Sequence, residues 1–269
     1  GLTGSGTMSE PYQIGSAEQL AKFRDKVNKG ETDANAVLTD DINLNPDMKI
    51  SEDGTVTGAH DRWTPIGTNS NEYTGTFDGD GHTISGLYID SSSDNYQGLF
   101  GYVSGTVQNL SVSGTVNSSG DYVGGVVGYN NDGTVTGCIF SGSDSVSVTG
   151  SYSVGGVVGY NGGSVTNCYN TGEVSGSSYV GGVVGENLGS STVENCYNTG
   201  TVTGSPVGGV VGSNSFSATV TNCYNTGEVS GMYVGGVVGW NRSSVTNCYN
   251  TGSVSDGTYT GGVVGYNHS

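Results

Sequence analysis

The chain has 269 residues, with 24 acidic and 7 basic side chains and a net charge of −17. That balance argues against nucleic-acid backbones and anionic membrane surfaces as partners. No uncharged apolar run approaches the length of a membrane span, so no membrane insertion is expected of these residues.

The acids are unevenly placed. Residues 1–97 hold 16 acids and 6 bases, whereas residues 98–269 hold 8 acids and one base, Arg242. The simplest role for the excess is to keep a long surface soluble. There are 50 glycines and only 4 prolines, and the glycines recur at fixed places among Val, Tyr and Thr. Regularly spaced β-favouring residues predict order, not a flexible linker.

In chain order, Gly1-Leu2-Thr3-Gly4-Ser5 shows no basic segment leading into an apolar one and reads as a mature or trimmed terminus. A helix is predicted over about 16–29. Ser16 is placed to cap it, Gln19 completes a capping box, Leu20, Phe23 and Val27 form an apolar stripe, and Gly30 ends it. Such a helix would cover the first coil of whatever follows. Ala36 to Leu44 alternates and predicts one strand, residues 45–61 predict a loop, and Pro65 marks Trp63 to Gly67 as an edge piece. Phe77 to Ile84 predicts strand, tight turn and strand, with Leu87 and Ile89 continuing the alternation.

From Gly98 onward the chain repeats itself. Gly-Gly-Val-Val-Gly begins at Gly124, Gly155, Gly181, Gly208, Gly235 and Gly261, at spacings of 31, 26, 27, 27 and 26 residues. A trailing Asn-Cys-Tyr-Asn-Thr-Gly begins at Asn167, Asn195, Asn222 and Asn247. A fixed period of this size is the mark of a solenoid. Three short strand candidates per period, as around Val180 to Val184, Val193 to Cys196 and Glu173 to Ser175, predict an all-β fold. The expected form is a parallel β-helix wound right-handed. Residues 1–97 are expected to form the cap and first irregular coils, and residues 98–269 the repeats. The last copy lacks its trailing block, so the chain is expected to be cut within a repeat, with an open end able to associate end to end.

Register stacking puts like on like, with Val174, Val202, Val229 and Val254 expected in one inward column. Only one valine of each Val-Val pair can face inward if the strand alternates strictly. Cys138, Cys168, Cys196, Cys223 and Cys248 lie 30, 28, 27 and 25 residues apart. That is too far for metal-ligand spacing, and they are read as stacked, buried thiols. Asn167, Asn195, Asn222 and Asn247 are expected at left-handed corners with their amides bonded from coil to coil. Asn170, Asn198, Asn225 and Asn250 are expected to do the same at the next turn.

Two aromatic files remain. If Cys points in, Tyr169, Tyr197, Tyr224 and Tyr249 point out, and they are the candidate ligand-binding residues. The second file is Tyr102, Tyr129, Tyr160, Trp240 and Tyr266, interrupted by Glu186 and Ser213. Asp78, Asp80 and His82 form a local ionisable cluster. Paired carboxylates serve glycoside hydrolysis or calcium binding, but Gly79 and Gly81 favour a structural turn. No zinc-protease, nucleophile-elbow or phosphate-loop pattern occurs. No catalytic residue, metal ligand or cofactor is expected.

The Val-Gly-Gly-Val-Val-Gly-Tyr-Asn unit, with the divergent copy Gly98-Leu99-Phe100-Gly101, resembles the GLUG motif. The stretches Trp63 to Gly67 and Gly75 to Leu87 resemble the segment that precedes GLUG repeats, so the likeness extends over about residues 36–269. Such repeats occur in secreted and surface proteins of bacteria, some beside IgA-cleaving metalloendopeptidase domains. The resemblance implies a non-catalytic extracellular module and names no site residues. The protease's zinc-binding motif is absent from this sequence. The expected function is that of a rigid spacer with an adhesive face for a host glycan, mucin or surface protein. The alternative is a carbohydrate-binding or carbohydrate-active β-helix acting on host or dietary glycans.

Overall fold

The computed structural model describes residues 1–142, 147–255 and 257–268. Over the described residues the chain is a β-solenoid of about nine turns, mostly strand, with one helix. Its first face is a nine-stranded sheet running from Tyr12–Ile14 through Ala36–Leu38 and Thr76–Asp78 to Ser244–Thr246. Successive strands pair in parallel, as Thr134↔Thr106 and Thr134↔Ser164 illustrate. The second face begins at Ile42–Asn43 and Thr83–Ser91 and carries the long strands Ser111–Ser118, Ser147–Gly155 and Glu173–Gly181. The third is a seven-stranded sheet from Phe100–Val103 to Val264–Asn267.

Helix α1, Ala17–Asn28, forms where the capping pattern places it. Ser16 accepts a hydrogen bond from the Gln19 N–H at 3.3 Å, and the Gln19 side chain accepts one from the Gly15 N–H at 2.8 Å. The box is thus closed one residue further back than its usual form. Leu20, Phe23 and Val27 are fully buried. Phe23 meets Tyr73 and Phe77 with ring centroids 6.0 and 5.7 Å apart, which seals the first end of the core. Asn28 clips the helix to the coil below: its amide donates to the Pro65 carbonyl at 2.9 Å and its oxygen accepts from the Gly67 N–H at 2.8 Å.

Two local readings are corrected. Ala36 to Leu44 is two strands, Ala36–Leu38 and Ile42–Asn43, because the coil turns between its first and second faces there. The loop at 45–61 contains a small antiparallel pair, Lys49–Ile50 with Val56–Thr57. Thr76–Asp78 and Thr83–Ser91 confirm the strand–turn–strand reading, with Asp80 and Gly81 at φ 49° and 81° in the turn.

The core is built of columns. Val174 pairs with Val202, Val202 with Val229 and Val229 with Val254, as the register predicts. Each fully buried valine contributes roughly 1.5–3 kcal/mol of transfer energy. The Val-Val pairs do not obey strict alternation: Val183 and Val184 are both fully buried, as are Val210 and Val211. Glu173–Gly181 ends before Val183, and the next strand starts at Val184. Val183 therefore sits on a corner, where the chain turns and both side chains can face inward. A Cβ on Gly182 at that corner would meet the Gly209 carbonyl of the next coil, so the small residue is required by close approach.

Candidate functional site

The corner between the first and second faces sets the direction of every side chain in the trailing block. Asn167, Asn195, Asn222 and Asn247 adopt φ of 53–55°, as expected of an Asn corner. Their side chains, however, are exposed. The amide ladders lie elsewhere. One is Asn170→Asn198→Asn225→Asn250, each amide donating to the next oxygen at 2.8 Å. The other, not foreseen, runs Asn130, Asn161, Asn187, Asn214, Asn241 and Asn267 at 2.8–2.9 Å. Both are buried except at their last members, half-buried Asn250 and exposed Asn267, and the inner amides satisfy one another where water cannot.

The residue after the corner points inward. Cys138, Cys168, Cys196 and Cys223 are buried and Cys248 is half-buried, all as free thiols. Each thiol leans on a carbonyl of the preceding coil, such as Val135 for Cys168 at 3.6 Å and Val165 for Cys196 at 3.7 Å. Burial pushes the Cys168 and Cys196 thiols well above their ordinary value. The neighbouring Cys196 sulfur is the main cause of the rise to about 12 at Cys223. Neutral thiols of this kind are packing groups, not nucleophiles.

The next residue points out. Tyr169, Tyr197, Tyr224 and Tyr249 pair in register and stack with centroids 4.5, 4.8 and 5.0 Å apart and planes within 9° of parallel. The candidate residues are thus brought into one exterior file. Within it each ring face covers the next, so the file offers ring edges and phenol hydroxyls. Only Tyr249, 54% exposed, presents an open face.

The second file is equally real. Tyr102, Tyr129 and Tyr160 stack at 4.6 and 4.2 Å. The register then places Glu186 opposite Tyr160, Ser213 opposite Glu186, and Trp240 opposite Ser213. Flanking tyrosines at the next corner extend both ends: Tyr122 stacks on Tyr96 at 5.3 Å, and Tyr259 on Tyr233 at 5.0 Å. Tyr96, Tyr122 and Tyr179 hold φ of 59°, 62° and 51°, a region uncommon for so bulky a residue.

The local ionisable cluster is a turn. The Asp78 carboxylate accepts from the Asp80 N–H at 2.9 Å, the Gln108 amide at 2.8 Å and the Asn109 amide at 3.1 Å. These bonds outweigh its burial and hold its carboxyl below the ordinary value. His82 turns to Asp41 at 3.3 Å. Among the described residues, no three of His, Cys, Asp and Glu are grouped to hold a metal ion.

Comparison with known proteins agrees with this architecture. The GLUG motif matches residues 150–175, 176–203, 204–230 and 230–255. The earlier copies that the repeat pattern includes lie outside that match. No curated protein matches the sequence. A solved structure named as a candidate immunoglobulin A1 protease from Bacteroides ovatus is 24% identical, with a TM-score of 0.71, covering 99% of this chain and 86% of that one. A second, named IgA1 protease, is 17% identical with a TM-score of 0.59, and this chain spans 20% of its length. Both likenesses concern the solenoid fold.

Proposed function

We propose that this chain, whose residues 150–255 are GLUG repeats on a β-solenoid, is a non-catalytic module of a bacterial extracellular protein. It acts as a rigid spacer and presents an adhesive face built on Tyr169, Tyr197, Tyr224 and Tyr249. The observation that carries the reading is the unbroken register of that file, which offers the same phenol group on four successive coils. A ladder of this kind suits a ligand that is itself repetitive, a host glycan or mucin, since weak contacts multiply when many engage together. The extracellular setting rests on the likeness to chains bearing IgA1 protease names, and their protease activity is not carried over.

The test is binding of the purified chain to a glycan and mucin panel, beside a variant with the four tyrosines changed to Ala. Binding that the variant loses supports an adhesive file. Absence of binding by the folded parent leaves the spacer role alone.

A further inference from the structure

The coils carrying Glu186 and Ser213 depart from the repeat twice, at different places. Each lacks the aromatic residue that its neighbours Tyr160 and Trp240 carry. Each also has a longer third face, Val184–Gly189 and Val211–Phe216 against Val158–Asn161 and Val238–Asn241 in the coils on either side. The first departure removes two stacked rings, and the second adds a lip. Together they open a groove of about 660 Å³, with Tyr179 and Trp240 among its walls and Phe216, 77% exposed, on the lip. Such a volume lies in the range of small-ligand sites.

Glu186 lines this groove and is only 6% exposed. One carboxyl oxygen accepts from the Ser153 hydroxyl. Among the described residues, no protein donor meets the other. That oxygen is not sealed off by the protein, so water or a ligand hydroxyl in the groove can complete its hydrogen bonds. Burial raises its protonation range above the ordinary one, with the Ser153 bond opposing. Protonated or ionised, a carboxyl bonds hydroxyl groups.

The charges select the ligand. A carboxyl in the lining disfavours an anion. Arg242, whose guanidinium stands 5.2 Å from the centroid of the Trp240 ring, disfavours a cation. The exposed Phe216 ring, with the Trp240 surface that lines the groove beside Arg242 and Tyr266, favours a flat patch of C–H groups, and Glu186 with Ser213 favours neighbouring hydroxyls. A neutral sugar ring has one apolar face and a rim of hydroxyls.

We propose that this groove binds one neutral pyranose unit, stacked on Trp240 and hydrogen-bonded to Glu186. The site lies on the third face, apart from the Tyr169 file, and does not depend on adhesion by that file.

The experiment is saturation-transfer NMR on the intact chain with methyl glycosides of glucose, galactose, mannose and N-acetylglucosamine. At least one probe is expected to receive saturation. The signal should fall at least tenfold in Trp240→Ala and in Ser213→Tyr, which refills the file, and persist in Tyr197→Ala. Thermal melting confirms that each variant is folded. No transfer to any probe by the folded parent overturns the proposal. So does transfer that survives Trp240→Ala and Ser213→Tyr but is lost in Tyr197→Ala, which assigns the binding to the other file.

Discussion

Two aromatic files run along this solenoid, one unbroken and one broken. The Tyr169 file repeats a single residue type over four coils and stacks it at nearly constant spacing. The Tyr102 file follows the same rule for three coils, loses it at Glu186 and Ser213, and resumes at Trp240 and Tyr266. Where the pattern holds, periodic packing explains every residue. Where it breaks, stacking energy is forgone and an ionisable group is buried, so periodic packing does not account for the residues present. An unbroken file thus points to a ligand that repeats with the coils, and an interruption that coincides with a second change points to a single local site.

The largest test strikes the scaffold beneath the unbroken file. Asn198 sits inside while Tyr197 beside it sits outside, and its amide bonds Asn225 and the Gly200 carbonyl while its oxygen receives Asn170 and the Gly200 N–H. Asn198→Leu is expected to cost about 3 kcal/mol, because it leaves buried neighbours unsatisfied. Chemical denaturation measures it, and a loss near zero would show that the ladder is not what holds the coils in register. Tyr197→Ala removes two stacking partners and is expected to cost about 1–2 kcal/mol in the same assay. A matching loss from Ser213→Ala, which removes no ring, would erase the distinction between the files.

Glu186 gives a pH test with a definite sign. Its folded carboxyl titrates above its ordinary value because it is buried. Its stabilising contribution is therefore full below the unfolded value and is lost as pH rises through the folded one. Glu186→Gln removes that loss, so the variant should melt with the parent near about pH 4 and above it near about pH 8. A constant difference across that range would mean that the carboxyl is not desolvated. The smallest effect is chemical. A thiol reagent at mildly alkaline pH should leave Cys138, Cys168, Cys196 and Cys223 unlabelled in the folded chain and react slowly at half-buried Cys248. Rapid labelling of all five without denaturant would contradict a packed thiol column.

Much of this was legible beforehand, for a physical reason. In-register parallel coils force equal residues to meet, so a period read from Gly124, Gly155 and Gly181 fixes the Val174, Cys168 and Tyr169 columns without coordinates. The helix was equally plain, since Ser16, Gln19 and the Leu20–Phe23–Val27 stripe are local signals. What failed was local strand counting at corners. Ala36 to Leu44 alternates as one strand does, and only the turn between faces divides it. Val183 and Val184 are both inward because a corner suspends the two-residue alternation. The exposed Asn167 and the ladder-forming Asn170 have the same composition signal, and their roles differ through backbone dihedral alone.

The broken file shows the same division. The sequence displays Glu186 and Ser213 as departures from a repeat, and it displays the longer spacing from Asn187 to Val193 and from Asn214 to Val220. It places Glu186 and Ser213 in one file with Trp240, but it does not say that the two kinds of departure open on one groove with Phe216 at its lip. The order of residues decided the period, the columns and the charge, because neighbouring coils must match. The tertiary structure decided which departures meet, because only the winding of the chain sets residues of three successive coils side by side.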